Sequence, residues 1–424
     1  MPLGDPVPDS VFNALAKALG TGIPLSGNIE AGYTYIGQLI AHDIVSGDSG
    51  RVVSPFLSLN SIYGAPNCQA RYFSGDRFFI GNPWHAADLP RDQNGVAIIP
   101  DKRNDENVII SQLQLLWMRF HNFLLDEGYA QTLREAREKV CLLFQVVVIE
   151  DFLKQLLHEQ VHTHFFVTGG AGPGLTGERL PPEFTHAAFR FGHSMARQGY
   201  QLQDRSDPLR ERPLLQLFRA QRPITKDEVV DWSFFFGDGV ISRAQEAQKI
   251  DTFVVASMRR IHRPGQDEDI DIIRTNLMVG REAGVPTGYE MMSRLTDAGV
   301  DLQSLGIEKL TGYAKRSGLA SSGVDLSHLP LWPYVLEEAM QENEGRNSGL
   351  GGLGSLICAD VLRTSIKYAP ISVFQNGIYD FDAVIARLGD LGRDLVDLGS
   401  ANGSAPTRRI QMSQILKLFN EKGE

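Results

Sequence analysis

Apolar residues recur at helical rather than strand spacing along most of this chain, and that periodicity limits it to a mainly α fold. In SQLQLLWMRFHNFLLDEG the set Leu113, Leu116, Phe120, Phe123 and Leu124 lies on one face, and Gly128 stops the run. From Leu133 to about His158 the pattern repeats through Val140, Leu143, Phe144 and Val147, with Glu135 and Lys139 paired one turn apart. The same spacing predicts helices in FTHAAFRFGHSMARQ, near Lys249 to Ile261, and over Pro286 to Leu295, Leu331 to Glu342 and Leu353 to Ile366. Between them VTGGAGPGLTGERLPPE reads as a long loop. Residues 48–101 offer only short extended pieces, and NSGLGGLGS (347–355) reads as a linker or the approach to a helix. No internal repeat stands out. The expectation is one large, mainly α domain over residues 1–424, with long irregular loops and little β.

Composition removes several function classes. With 424 residues, 42% of them hydrophobic, the chain can bury a large core without staples. A formal net charge of −10 leaves no basic footprint for nucleic acid. No stretch of about eighteen apolar residues occurs, so no membrane span is expected. The first twenty residues lack a basic start followed by an apolar run, so the protein is expected to be soluble, cytoplasmic or exported without a recognisable signal peptide. Cys68, Cys141 and Cys358 are odd in number and widely spaced, which makes no disulfide framework.

Four segments can carry chemistry. In YTYIGQLIAHDIV, Gln38 and His42 share a helical face among Leu39, Ile40 and Ile44, and burial there favours a neutral imidazole able to accept a proton. A core histidine bonded to a carbonyl is the plain alternative. In HAAFRFGHSM, Gly192 before His193 lets a flat ligand approach closely, and Arg190 stands one turn earlier, suited to an anionic group on it. In IIPDKRNDENVII the charge-dense stretch reads either as a solvated start of the next helix, capped by Asp101 or Asn104, or as Arg103 turned inward as a fixed cation with Glu106 beside it. In DIIRTNLMVGREAGVPTGYE, Asn276 stands among apolar neighbours, where a buried amide must find partners, one natural partner being Nδ1–H of a metal-bound histidine.

Taken in order, GQLIAHD, SPFLSLNSIYG, PDKRNDEN, LLWMRFHN, EAREKVCLLFQVVVIEDFL, AAFRFGHS and NLMVGREAGVPTGY resemble the animal-type haem peroxidases of the peroxidase–cyclooxygenase superfamily. The likeness runs from about Tyr33 to Tyr289, with a weaker echo at LGSLICADVLRTSI, and is that of a bacterial-type member similar to myeloperoxidase and peroxidasin catalytic domains. It implies a haem b enzyme that reduces hydrogen peroxide through a ferryl species and then oxidises small organic donors, halide or thiocyanate. By resemblance His42 is the distal acid–base histidine, Gln38 the distal glutamine and Arg103 the distal arginine. His193 is the proximal iron ligand, Asn276 its amide partner and Arg190 a haem-propionate contact.

The departures from that pattern are as specific. Ala41 replaces the first ester-forming carboxylate, while Glu106 falls where the second lies, which allows one ester link to haem. Asn107 replaces the methionine of the sulfonium link. The family calcium site maps onto Asp43, Ser54, the Phe56 carbonyl, Ser58 and Asn60, but Ser58 stands where an aspartate is usual, which weakens or abolishes calcium binding. VGREAG keeps Arg281 as a haem anchor and loses a second arginine at Val279.

Three rival readings are weighed against this one. The fatty-acid dioxygenases of the same superfamily need a tyrosine three residues before the proximal histidine, and here that position is Arg190. A non-catalytic haem-binding scaffold would have no physical need of Gln38, His42 and Arg103 together. Finally, His158-Glu159-Gln160-Val161-His162 is a literal HExxH, which on a helix would give two zinc ligands and a glutamate base of a metalloprotease. His164 is too near to be the usual third ligand, and adventitious zinc or nickel on His158, His162 and His164 is the milder form of that reading.

Overall fold

The computed structural model of the protein describes residues 9–46, 54–65, 71–204, 211–218, 222–237, 242–261, 269–343, 348–400 and 409–422. Cys68, residues 1–8 and Asn347 lie outside them. Helices dominate: α1 (Asp9–Ala18), α2 (Gly32–Ile44), α3 (Val108–Asp126), α4 (Leu133–Val147), α5 (Ile272–Glu282), α6 (Gly288–Asp297), α7 (Leu331–Glu342), α8 (Gly352–Lys367), α9 (Phe381–Leu388), α10 (Asp390–Ser400) and α11 (Met412–Lys422). Extended structure among the described residues is confined to two-stranded pairs, of which β1 (Ser26–Glu30) with β2 (Glu246–Gln248), antiparallel and irregular in register, is the longest. The fold is mainly α, as the periodicity predicts.

The chain forms two compact units. The first comprises Met1–Thr34, Leu153–Gln198 and Glu246–Thr364; the second comprises Tyr35–Phe152, Gly199–Gln245 and Ser365–Glu424. In the first, α7 is buried from Leu331 to Met340, polar residues included. Its Glu338 accepts the Leu353 and Gly354 amides at 2.9 and 3.0 Å, and Glu342 accepts the Gly352 amide, so two carboxylates meet the positive end of α8. Gly351 has to be glycine, because a Cβ there would stand 2.3 Å from Glu338 Cγ.

In the second unit, α3 is buried on every residue from Val108 to Met118. The Asn107 side chain caps it by accepting the Ile110 amide, and the left-handed Gly128 follows its end. Trp117 lies edge-on to Phe144 of α4 with ring centroids 5.3 Å apart, and Phe123 lies edge-on to Phe419 of α11. Burying each such ring contributes roughly 1.5–3 kcal/mol, so this aromatic seam fixes where the start of α3 and the residues before it must lie.

The helix from Leu133 runs as predicted to Leu156, with a π-helical turn over Val148–Phe152 inside it. Two predicted helices come out differently. FTHAAFRFGHSMARQ is not continuous: Pro182–Thr185, Ala188–Phe191 and Gly192–Met195 are separate turns, broken at Ala187 (φ −137°, ψ −83°). Lys249–Ile261 is an extended run after β2 that closes with a single 3₁₀ turn, Ala256–Arg259. Phe253, Val254 and Val255 are all buried there, so the segment has no polar face for a surface helix.

Candidate active site

The site residues fall into two groups, one in each unit. In the second unit α2 presents His42, 8% exposed, its Nδ1 2.7 Å from Oδ1 of Asn104. Asn104 in turn donates through Nδ2 to Oε1 of Gln114, also at 2.7 Å. Gln38, one turn before His42, accepts at Oε1 from Nδ2 of Asn107 at 3.4 Å. The amide at 107 thus caps α3 with its oxygen and contacts Gln38 with its nitrogen.

Within residues 101–107 Asp101, Asn104, Asp105 and Asn107 are buried and form a polar hub, Arg103 and Glu106 are half-buried, and Lys102 is exposed. Asp101 starts a 3₁₀ turn (Lys102–Asp105) by accepting the Arg103 amide. Buried Asp105 and Asp88 both chelate Arg91, at 2.6 and 2.7 Å, with all three side chains fully out of solvent. Glu106 closes the turn through its amide, with its side chain half-buried.

Arg103, read from sequence either as part of a solvated helix start or as an inward fixed cation, is a fixed cation, held by its own neighbours. Its guanidinium donates to the carbonyls of His42 and Val45, at 2.6 and 2.9 Å, and lies on the Asp101 carboxylate at 2.7 Å. Burial raises the Asp101 pKa, but the Arg103 guanidinium more than offsets that and holds it below the ordinary carboxylate range. The charge at 103 is therefore met locally, and what it grips is the C-terminal end of the helix carrying His42.

The residues mapped to calcium form a closed hydrogen-bond cluster. The Asp43 carboxylate accepts three backbone amides, those of Ser58, Leu59 and Ser61, at 2.8–2.9 Å. Burial pushes its pKa up while those amides pull it down. Ser58 Oγ donates to the Phe56 carbonyl, Ser54 Oγ accepts the Phe56 amide, and the Asn60 oxygen accepts from Arg137, whose guanidinium also stands 5.0 Å from the Tyr63 ring centroid. Donors and a cationic side chain occupy the oxygens that calcium would need, so these residues do not fit the ion.

In the first unit His193 is half-buried, and desolvation of the ring, reinforced by the charge of Arg190, pushes its pKa down to about 3. Its Nδ1 is 2.7 Å from Nδ2 of Asn276 on α5. The Asn276 oxygen is taken by Arg190, which also donates to the Thr185 carbonyl and meets His186 Nδ1 at 3.3 Å. Trp332 of α7 donates to the Arg190 carbonyl. A Cβ on Gly192 would meet nothing within 4 Å, so there is open space beside the histidine. An axial iron ligand needs a neutral imidazole whose Nδ1–H donates to a fixed acceptor; His193 supplies the neutral ring with an asparagine beside it, and it fits haem once Asn276 turns its oxygen, now held by Arg190, to that nitrogen. Arg281 ion-pairs with Asp9 at 2.7 Å and covers the Phe12 ring, so its charge is engaged by α1.

The zinc reading fails on geometry. His158 is the N-cap of the short helix Glu159–His162 (ψ 136°), outside the helical face the motif needs. His164 bonds the Ala171 carbonyl, and no group of three or more His, Cys, Asp or Glu able to hold a metal exists among the described residues. None of the described helices is long and apolar enough to cross a membrane.

Sequence reasoning brought out His42, Gln38, His193, Asn276 and Arg190, and the structure pairs the last three. It read Asn104 only as a cap and passed over Gln114. The signal was there: an amide inside the run QLQLLW is buried, and a buried amide has to find a partner.

A family model for the animal haem peroxidase domain matches residues 51–298, more than half of the chain. No curated protein matches the sequence. Among solved structures, peroxidase A from Dictyostelium discoideum is similar at a TM-score of 0.64 and 14% identity, covering 97% of this chain and 92% of that one. A fatty acid alpha-dioxygenase from Oryza sativa is similar at 0.65 and 13%, covering 97% and 80%, and one from Arabidopsis thaliana at 0.62 and 15%, covering 92% and 74%. At such identities these likenesses establish the fold alone.

Proposed function

This chain belongs to the animal haem peroxidase family, and on that footing we propose that it is a haem-dependent peroxidase, reducing hydrogen peroxide at the expense of a small organic donor, halide or thiocyanate. One observation carries the reading: buried His42 and half-buried His193 each have Nδ1 held by an asparagine amide, His42 by the oxygen of Asn104 and His193 by the nitrogen of Asn276, so that a neutral side chain sets the orientation of each ring. Haem, when bound, would supply a redox-active iron, with His193 as its axial ligand and Asn276 orienting that ring.

The chain's own residues do the proton work. His42 takes a proton from one oxygen of peroxide and delivers it to the other as the O–O bond breaks, so that water leaves and the imidazole is regenerated. Burial among Leu39, Ile40 and Ile44 keeps bulk water from competing for that proton. Gln38, held by Asn107, orients a water or a small anion beside His42. Arg103 serves as a positioning residue, anchoring the end of α2 through the His42 carbonyl. Glu106, half-buried at the end of the same turn, is the residue for a single ester link to haem. Arg190 at the third position before His193 supports peroxidase over lipid oxygenase, since a guanidinium cannot serve as the tyrosyl radical of the dioxygenases.

The test is to load the protein with haem and follow its Soret band after one equivalent of peroxide. The wild type is expected to change within milliseconds. His42→Ala should keep its haem yet react at least about 100-fold more slowly, while His193→Ala should lose haem or its normal ligation. Equal haem loss in both variants, or a Soret band indifferent to peroxide together with oxygen uptake on adding a fatty acid, overturns the proposal.

A further inference from the structure

The amides behind His42 form a directed chain. Asn104 and Gln114 are both fully buried. Asn104 gives its Nδ2–H to Gln114 Oε1, so the atom it turns to His42 is Oδ1, which can only accept. The ring nitrogen facing it must therefore be the donor. Reversing one amide alone would set oxygen against oxygen or nitrogen against nitrogen inside a dry interior, where an unmet polar pair costs most; reversing both together keeps the Asn104–Gln114 bond, and Gln114 Nε2, buried without a partner, leaves the sense of the chain to be read from the His42 tautomer. Backbone freedom at 104 is also small. Its amide bonds the Asp101 carbonyl, Asp101 grips Arg103, and Asp105 grips Arg91.

We propose that Asn104, oriented by Gln114, is a positioning residue that holds His42 as its Nδ1–H tautomer and so places the ring's lone pair on Nε2. A histidine in the other tautomer presents N–H where a base is needed and has nothing to accept a proton with. When Nε2 takes a proton, Nδ1–H still points at the Asn104 oxygen and steadies the imidazolium. When that proton leaves again for the departing oxygen, the ring returns to the same tautomer. Asn104 transfers no proton itself. Asp101, which His42 influences, is already paired with Arg103, and the amide chain itself is neutral. The kinetic consequence rests on His42 being the proton-transfer group proposed above; the tautomer does not.

The experiment is long-range proton–nitrogen NMR on the full chain with 15N-labelled histidines, haem-free and as the diamagnetic ferrous carbon-monoxide form, with His42 assigned through His42→Gln. Wild-type His42 is expected as Nδ1–H. Asn104→Asp should keep that tautomer and raise the His42 titration midpoint by about one unit or more, because a carboxylate then faces the ring. Asn104→Leu should lose the preference. Gln114→Met, which never touches the histidine, should give a mixture, a change that a merely structural role does not produce. In the haem-loaded protein, Asn104→Leu should slow the peroxide reaction about 10- to 100-fold with the Soret band unchanged, and Asn104→Asp should recover most of it. Should Asn104→Leu fail to fold, Asn104→Asp and Gln114→Met still decide. Wild-type His42 observed as Nε2–H, or a tautomer indifferent to Asn104→Asp and Gln114→Met alike, overturns the assignment. If the tautomer behaves as stated but His42→Ala reacts at the wild-type rate, the positioning stands and the role of His42 in the peroxide step falls.

Discussion

The two histidines are held by the same residue type in opposite senses. His42 Nδ1 meets the oxygen of Asn104, because the nitrogen of that amide is committed to Gln114. His193 Nδ1 meets the nitrogen of Asn276, because the oxygen of that amide is committed to Arg190. What a histidine can do is thus set one residue further away than its hydrogen-bond partner. On the His42 side the arrangement is already the one a base needs. On the His193 side, ligation through Nε2 calls for Nδ1–H against an amide oxygen, so binding a metal there competes with the hold of Arg190 on Asn276. One group is preset by neutral amides; the other is held back by a cation.

The sharpest way to break the contrast is to remove the charge network supporting the hub. Arg91→Leu leaves Asp88 and Asp105 buried and uncompensated, and should cost about 3–5 kcal/mol in chemical denaturation. A loss below about 1 kcal/mol would mean that the hub is not held by that ion triad. On the other side, Asn276→Leu should weaken haem retention about 10- to 100-fold, measured by transfer of haem to apomyoglobin, while leaving urea stability within a few tenths of a kcal/mol of its expected cavity-free value.

Acid should act on both units alike. His121 lies in the second unit between the Tyr63 hydroxyl and the Asp76 carbonyl, and burial, partly opposed by that carbonyl, pushes its pKa down to about 4. Its folded value lies below its unfolded value, so the unfolded chain takes up the proton first as pH falls. The stability it contributes is complete above about pH 6.5 and is lost from there toward pH 4, at up to about 1.4 kcal/mol per pH unit. His193 adds a loss of the same sign, extending toward pH 3. Urea titrations at pH 7, 6 and 5 read the combined slope, and His121→Asn should flatten it; a slope unchanged by that variant would show the ring to be protonated in the fold. The smallest expected effect is none at all: calcium or a chelator should leave the melting temperature where it is, because the Asp43 oxygens are already taken.

The long apolar runs were legible because periodicity is a local property; α3, α6, α7 and α8 lie within a few residues of their predicted bounds. His193 and Asn276 were legible through their neighbours in sequence. The chain around His193 was not, because its turns are held by tertiary bonds: Arg190 satisfies the Thr185 carbonyl that a continuous helix would have bonded within itself. For Arg103 the residue type suggested a cation facing a ligand, yet Asp101, two residues away, already answered that charge. Asn104 escaped because an asparagine before a helix is usually a cap, and only the fold shows that its side chain reaches back to a histidine sixty-two residues earlier.

Asp43 has a consequence for how the protein responds to its medium. A loop clamped by an ion borrows stability by mass action, and its melting point follows the ion's concentration. Here the Asp43 carboxylate is clasped by the chain's own Ser58, Leu59 and Ser61 amides, which tie residues 58–61 to the helix that carries His42 without an ion.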